Sequence, residues 1–131
     1  MSKFVTLLSD VESVFTTSTW TSTNISAFPS NFRVPENTSE FVKLEVLPLR
    51  DNSDYGRCGV EGIIYVQIYV QANQGVRRLM EIADILDTLL QAKSLPNGTK
   101  TQASSLNVIG MDRDNPELFR ADFAVDFTYY N

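Results

Sequence analysis

Three patterns in this chain predict an α+β fold, a single-layer mixed or antiparallel sheet of about four strands packed against two helices. The first lies in residues 118–130, where Phe119, Ala121, Phe123, Val125, Phe127 and Tyr129 alternate with Arg120, Asp122, Asp126 and Thr128. Successive side chains of a strand point to opposite faces, so strict alternation marks a half-buried strand. The second is the same period in residues 41–47 and 63–71. The third is apolar recurrence at three and four residue intervals in residues 3–15 and 76–93, the mark of an amphipathic helix.

Taken in order, residues 3–15 place Phe4, Leu7, Leu8, Val11, Val14 and Phe15 on one helical face, with Ser2 as a candidate N-cap. Residues 16–23 are Ser and Thr around Trp20, types that prefer strands, turns and caps, and they are expected to end the helix. Residues 25–39, with Pro29, Pro35 and no period, read as an extended arm anchored by Phe28 and Phe32. Residues 41–47 alternate Val42, Leu44 and Val46 against Lys43 and Glu45, a strand expected to stop at Pro48. Residues 51–62 read as a loop. Its regularly spaced Gly56, Gly59 and Gly62 are followed by no Lys-Ser/Thr pair, so a hairpin connection is preferred over a phosphate cradle.

In residues 63–71, Ile64, Val66, Ile68 and Val70 face a core, while Tyr65, Gln67, Tyr69 and Gln71 form a second, amphipathic face. That face suits a covering helix of the same chain first, and a neighbouring subunit second. Residues 76–93, with Asn73 as a candidate N-cap, carry Val76, Leu79, Ile82, Ala83, Leu86, Leu89 and Leu90 in an apolar stripe. Arg77 and Arg78 stand in the first turn, where the helix dipole disfavours cations by about 0.3–1 kcal/mol. Pairing with Glu81 would offset this; the alternative is a carboxylate of another subunit or partner. Leu95-Pro96-Asn97-Gly98 is a turn, residues 104–111 a strand, and residues 112–116 a second turn before the final strand. No repeat or linker interrupts the 131 residues, which read as one domain, 1–131.

Composition narrows the function. With 43% hydrophobic and 21% charged residues the chain is that of a globular protein. No apolar run approaches the ~18 residues of a membrane span, and the N terminus lacks a secretory pattern, so a cytoplasmic location in the producing cell is expected. Cys58 is the only cysteine, which leaves no intrachain disulfide and no thiolate cluster. The tripeptides at Asn24, Asn37 and Asn97 have the form of glycosylation acceptors but, without export, mark polar loops. The net charge of −5 opposes a general electrostatic grip on nucleic acid.

Catalysis finds little footing. There is no histidine, which removes the commonest general base and zinc ligand. Asp112, Asp114 and Glu117 lack the central glycine and distal glutamate of a calcium loop and read as a solvated turn. Asp122 and Asp126 share a strand face about 13 Å apart, too far for paired glycosidase carboxylates. No catalytic residue, cofactor or metal ligand is therefore assigned.

The order of features resembles the tail terminator, or minor tail, proteins of long-tailed bacteriophages. The resemblance covers most of the chain. It is carried by the N-terminal helix leading to Trp20, the arm Phe28-Pro29-Ser30-Asn31-Phe32 ending at Pro35, and the strand Phe41-Val42-Lys43-Leu44-Glu45-Val46. Arg57-Cys58-Gly59 before the next strand, the helix led by Gly75, and the ending Phe127-Thr128-Tyr129 complete it. The resemblance implies an α+β subunit of a hexameric ring at the head-proximal end of the tail tube. Such a ring stops tube polymerisation and presents the surface for head joining. The implied partners are further copies of the chain, the tail tube protein and a head completion or connector protein, with DNA passing through unbound and no membrane. The implied location is the virion, with assembly in the host cytoplasm. Candidate interface residues are Arg77, Arg78, Tyr65, Tyr69, Phe28 and Phe32; Asp122 and Asp126 are candidates for the lumen. A head–tail connector or neck protein, and a non-catalytic small-molecule binding domain, are the alternatives.

Overall fold

The computed structural model describes residues 3–29, 40–52, 59–72, 76–111 and 118–130. Its first helix, α1 (Lys3–Ser13), buries Leu7 and Val11 of the expected stripe but leaves Phe4 and Leu8 exposed, and passes into a 3-10 turn, Val14–Thr16, that buries Val14. The Ser/Thr run that follows does more than end this helix. Thr17 turns extended (φ −68°, ψ 154°), and the chain then makes one further turn of helix, α2 (Ser18–Thr21), which buries Trp20. Hydroxyls of Ser13, Thr16, Thr17 and Thr23 donate to carbonyls three residues back, at 2.6–2.8 Å. Short polar side chains thus satisfy the carbonyls that a broken helix leaves open.

The remaining elements are β1 (Ser26–Pro29), β2 (Phe41–Asn52), β3 (Gly59–Gln71), α3 (Arg77–Leu90), β4 (Thr99–Met111) and β5 (Leu118–Tyr130). They form one α+β unit whose five strands run in the order β1-β2-β3-β5-β4. β1 is parallel to β2 and every other pairing is antiparallel, so the sheet is mixed.

The sheet has five strands and not about four, because part of the arm pairs with β2 from Ser26↔Phe41 to Pro29↔Leu44. Four residues with a terminal proline are too few to show a period, so only the neighbouring strand reveals them as β. A third helix, α2, is short for the same reason. β2 runs on past Pro48 to Asn52, its register shift between Pro48 and Arg50 absorbing the irregularity. Since β1 stops opposite Leu44, Pro48 lies on an edge among the described residues, where the missing N–H is tolerated. β3 starts at Gly59 and β4 at Thr99, so both strands are longer than their alternation suggested. The expected caps Ser2 and Asn73 lie outside the described residues; at the start of α3, Val76 provides no side-chain cap.

Register separates the two faces of the sheet. Rows such as Leu44↔Val66↔Phe123↔Leu106 and Val46↔Ile64↔Val125↔Ser104 line the inner face. There they form one core with Leu7, Val11 and Val14, with Trp20 and Ile25, and with Leu79, Ile82, Leu86 and Leu90 of α3. The outer face carries Phe41↔Tyr69↔Arg120, Lys43↔Gln67↔Asp122↔Asn107 and Glu45↔Tyr65↔Ala124↔Ser105.

Candidate interaction surfaces

The tyrosine face of β3 is not covered by a helix among the described residues. The covering-helix reading is corrected here: both long helices pack on the opposite, aliphatic face, which buries more apolar area. On the outer face Tyr69 is instead covered by neighbouring side chains. It stacks on Phe41 at 4.7 Å between ring centroids, and Phe28 meets Phe41 edge-on at 5.9 Å. Lys43 Nζ stands 5.7 Å and Arg120 Cζ 6.0 Å from the centre of the Tyr69 ring, within cation–π range. Leu118 completes this second, smaller apolar cluster. Two of the predicted interface residues, Tyr69 and Phe28, therefore help to build the outer surface, while Tyr65 is half-buried in the middle of the same sheet. Phe32 lies outside the described residues.

Arg77 and Arg78 both reach Glu81, Nε to Oε1 at 3.3 Å and Nη1 to Oε2 at 3.4 Å. Arg78 goes further and grips Glu40, just before β2, with Nε donating to Oε2 at 2.9 Å and Nη2 to Oε1 at 2.7 Å. This two-point geometry is the one a planar guanidinium makes best. The hydrogen bond to Glu40 is the largest influence on the Arg78 guanidinium; burial opposes it, and the charges of Glu40 and Glu81 add to it. The net effect raises its pKa above the ordinary arginine value. Arg77 is 93% exposed at its side chain and projects from the start of α3.

Asp122 accepts from Arg120, Nε to Oδ1 at 3.2 Å, so its charge is offset within the outer face. Asp126, opposite Ile63 on β3, is exposed. The turn bearing Asp112, Asp114 and Glu117 lies outside the described residues, among which no group of metal-ligating side chains is large enough to hold an ion. No helix of the described residues is long and apolar enough to cross a membrane.

Sequence reasoning missed two features. Asp10 is buried at 1% exposure and accepts from Asn97 N at 2.9 Å, Thr99 N at 3.2 Å and Thr99 Oγ1 at 2.7 Å, clasping the turn before β4 to α1. The signal was available: a carboxylate at position 10 falls inside the stripe Leu7, Val11, Val14. The second feature is a cleft of about 880 Å³ between α1, α2, β1 and β2. Its parts come from four elements, and no local pattern announces it.

The geometry defines an α+β domain with a five-stranded sheet, helices on one face and the other face open among the described residues. No protein-family model matches the chain, and no curated protein matches it significantly. One solved structure, of a protein designated only by a sequence label, shares the fold with a TM-score of 0.62 at 14% identity, over 90% of this chain and 85% of that one. A chain from the virion of a native gene transfer agent particle is similar with a TM-score of 0.59 at 12% identity, over 87% of this chain and 85% of its own. At these identities the likeness is one of fold.

Proposed function

We propose that this chain is a structural virion protein that closes the head-proximal end of a phage tail tube as a hexameric ring. In that place it stops tube polymerisation and forms the surface for head joining, without catalysis. The observation that carries the reading is the fold shared over 87% of the chain with a component of a gene transfer agent virion. The order of sequence features that resembles tail terminators supports it independently. A ring also needs two different surfaces per subunit, since a heterologous contact closes only head to tail. The open outer face, the edge of β4 beyond Gln102, where its pairing with residues 92–95 ends, and the part of β2 beyond Leu44 are available for that role among the described residues.

In this reading the exposed Arg77 lies on a subunit or partner contact, and the outer face bearing Asp122 and Asp126 turns toward the lumen. Acidic groups there suit a passage that DNA crosses without being held, because fixed cations would retain its phosphates. The partners are further copies of the chain, the tube protein and a head completion or connector protein.

Native mass over a wide concentration range, with negative-stain images of the heaviest species, tests the ring. A closed ring with a hole that admits duplex DNA is expected; a monomer that also leaves the ends of purified tubes bare overturns the reading. Deleting the gene separates a terminator from a neck connector. Tubes of uncontrolled length indicate a terminator, and tubes of normal length that fail to join heads indicate a connector.

A further inference from the structure

The turn between α3 and β4 carries a reactive dipeptide. Asn97 is followed by Gly98, the one place in the chain where an asparagine precedes a glycine. The turn itself asks for that glycine, because position 98 has a φ of 108°, a conformation that a Cβ disfavours. Asn97 is exposed, and its side-chain amide makes no hydrogen bond among the described residues. Asp10 of α1 holds the turn in place. Its Oδ1 accepts from Asn97 N at 2.9 Å, and its Oδ2 from Thr99 N at 3.2 Å and Thr99 Oγ1 at 2.7 Å. Between these two anchors Gly98 N donates to Leu95 O over a longer 3.3 Å, while Leu95 N closes the turn on Thr99 O at 2.7 Å.

From this we infer that Asn97 is a site of spontaneous deamidation, restrained by the Asp10 clasp and able, once it has reacted, to undo that clasp. The Gly98 nitrogen gives up its proton and attacks Cγ of Asn97. The new C–N bond closes a five-membered imide, and the side-chain nitrogen leaves as ammonia. Water then opens the ring. Attack at Cγ leaves aspartate at position 97; attack at the main-chain carbonyl leaves isoaspartate, whose backbone runs through the side chain and is one methylene longer. No Cβ at position 98 shields the attacking nitrogen. To reach Cγ that nitrogen must leave Leu95 O, a movement opposed by the bonds from residues 97 and 99 to Asp10, so the turn reacts only when the clasp opens locally. The product brings a new carboxylate. In isoaspartate its carbon stands about 2.5 Å from the nitrogen of residue 97 by covalent geometry, hence within about 5.4 Å of Asp10 Oδ1 in a closed clasp. Like charges at that distance, one of them buried, disfavour closure, and the longer backbone spoils the spacing by which two amides reach one carboxylate. The assignment stands apart from the ring and is tested on the isolated chain.

The test is peptide mapping of the native chain during long incubation at physiological temperature and pH. Trypsin cuts after Lys93 and Lys100, so residues 94–100 come away as one peptide with Asn97 its only asparagine. A synthetic peptide of the same sequence is incubated beside the chain. The expected result is a gain of one mass unit in that peptide from the folded chain, roughly tenfold or more slower than in the free peptide. Thr99→Val removes one bond of the clasp and should speed the gain roughly fivefold. Ile68→Val should leave the rate unchanged at a similar loss of stability, since Ile68 is buried on β3 eight residues from the row Val60↔Tyr129↔Thr99. Asn97→Gln should abolish the gain. The reacted chain, separated by its extra negative charge, should melt several degrees lower than the unreacted one. No gain in the folded chain once the free peptide is spent, or equal rates in the two, would overturn the proposal. So would a rate that Thr99→Val leaves unchanged or that Ile68→Val raises as much, or a reacted chain that melts with the native one.

Discussion

At the scale of single residues, the costliest positions are those whose polar groups have no alternative partner. Asp10 gathers three hydrogen bonds in a buried place. Asp10→Ala leaves two backbone N–H groups and a hydroxyl without an acceptor, and should lower stability by about 2–4 kcal/mol in urea unfolding. Thr99→Val removes the hydroxyl bond alone and should cost about 1 kcal/mol; the double variant should lose less than the sum, because both substitutions break the same bond. Arg78 is different. Its bidentate bond to Glu40 is partly solvated, with side-chain exposures of 41% and 32%, so a double-mutant cycle should give a coupling of about 0.5–1 kcal/mol that falls with added salt. A raised pKa on a base means stability that is present at low pH and lost only as pH climbs through the arginine range. The coupling should therefore be the same in neutral and mildly alkaline buffer.

At the scale of elements, β3 is the central requirement, since it pairs along its length with β2 on one side and β5 on the other. Gly62 shows how closely these strands approach. A Cβ there would stand 2.0 Å from the carbonyl oxygen of Leu47 and 3.0 Å from the Phe127 ring. The clash is with backbone, which cannot swing aside, so Gly62→Ala should cost about 3 kcal/mol or prevent folding, read by chemical denaturation or by soluble yield. What looked like the last of three loop glycines is thus a strand residue, placed where β2 shifts register between Pro48 and Arg50. α3 follows its stripe closely, with Leu79, Ile82, Ala83, Leu86 and Leu90 buried. The amide of Gln91 still closes the last turn at 3.0 Å on Asp87 O, and Ala92 then takes a positive φ of 52° to leave the helix.

At the scale of the whole molecule, one face of the sheet is sealed by helices and the other is finished by its own side chains. Arg120 and Lys43 over Tyr69, and Arg120 on Asp122, make the outer face polar at its margin and aromatic at one end. Asp126 stays exposed on it. If that face turns toward the passage of a ring, Asp126→Lys should leave the ring's mass unchanged. The altered ring should then retain duplex DNA in a filter or gel assay at low salt and release it as salt rises, because each added cation displaces counterions from the phosphates. Retention equal to that of the native ring would place Asp126 away from the passage.

The sequence by itself determined the class, the two long helices and the two faces of β3 and β5. In residues 118–130 and 63–71 a period of two residues assigns each side chain to one face of the sheet, and the register confirms both faces, with Tyr69 and Leu118 buried on the outer one. It also disclosed the pairing of Arg77 and Arg78 with Glu81, because helix geometry places residues three and four apart side by side. Only tertiary structure decided what depends on distant neighbours. β1 exists because β2 lies beside it, Glu40 reaches Arg78 across 38 positions, and Asp10 meets Thr99 across 89. The cleft is likewise made where four elements meet. Local periodicity records which way a side chain faces; which partner it finds is set by the closure of the chain upon itself.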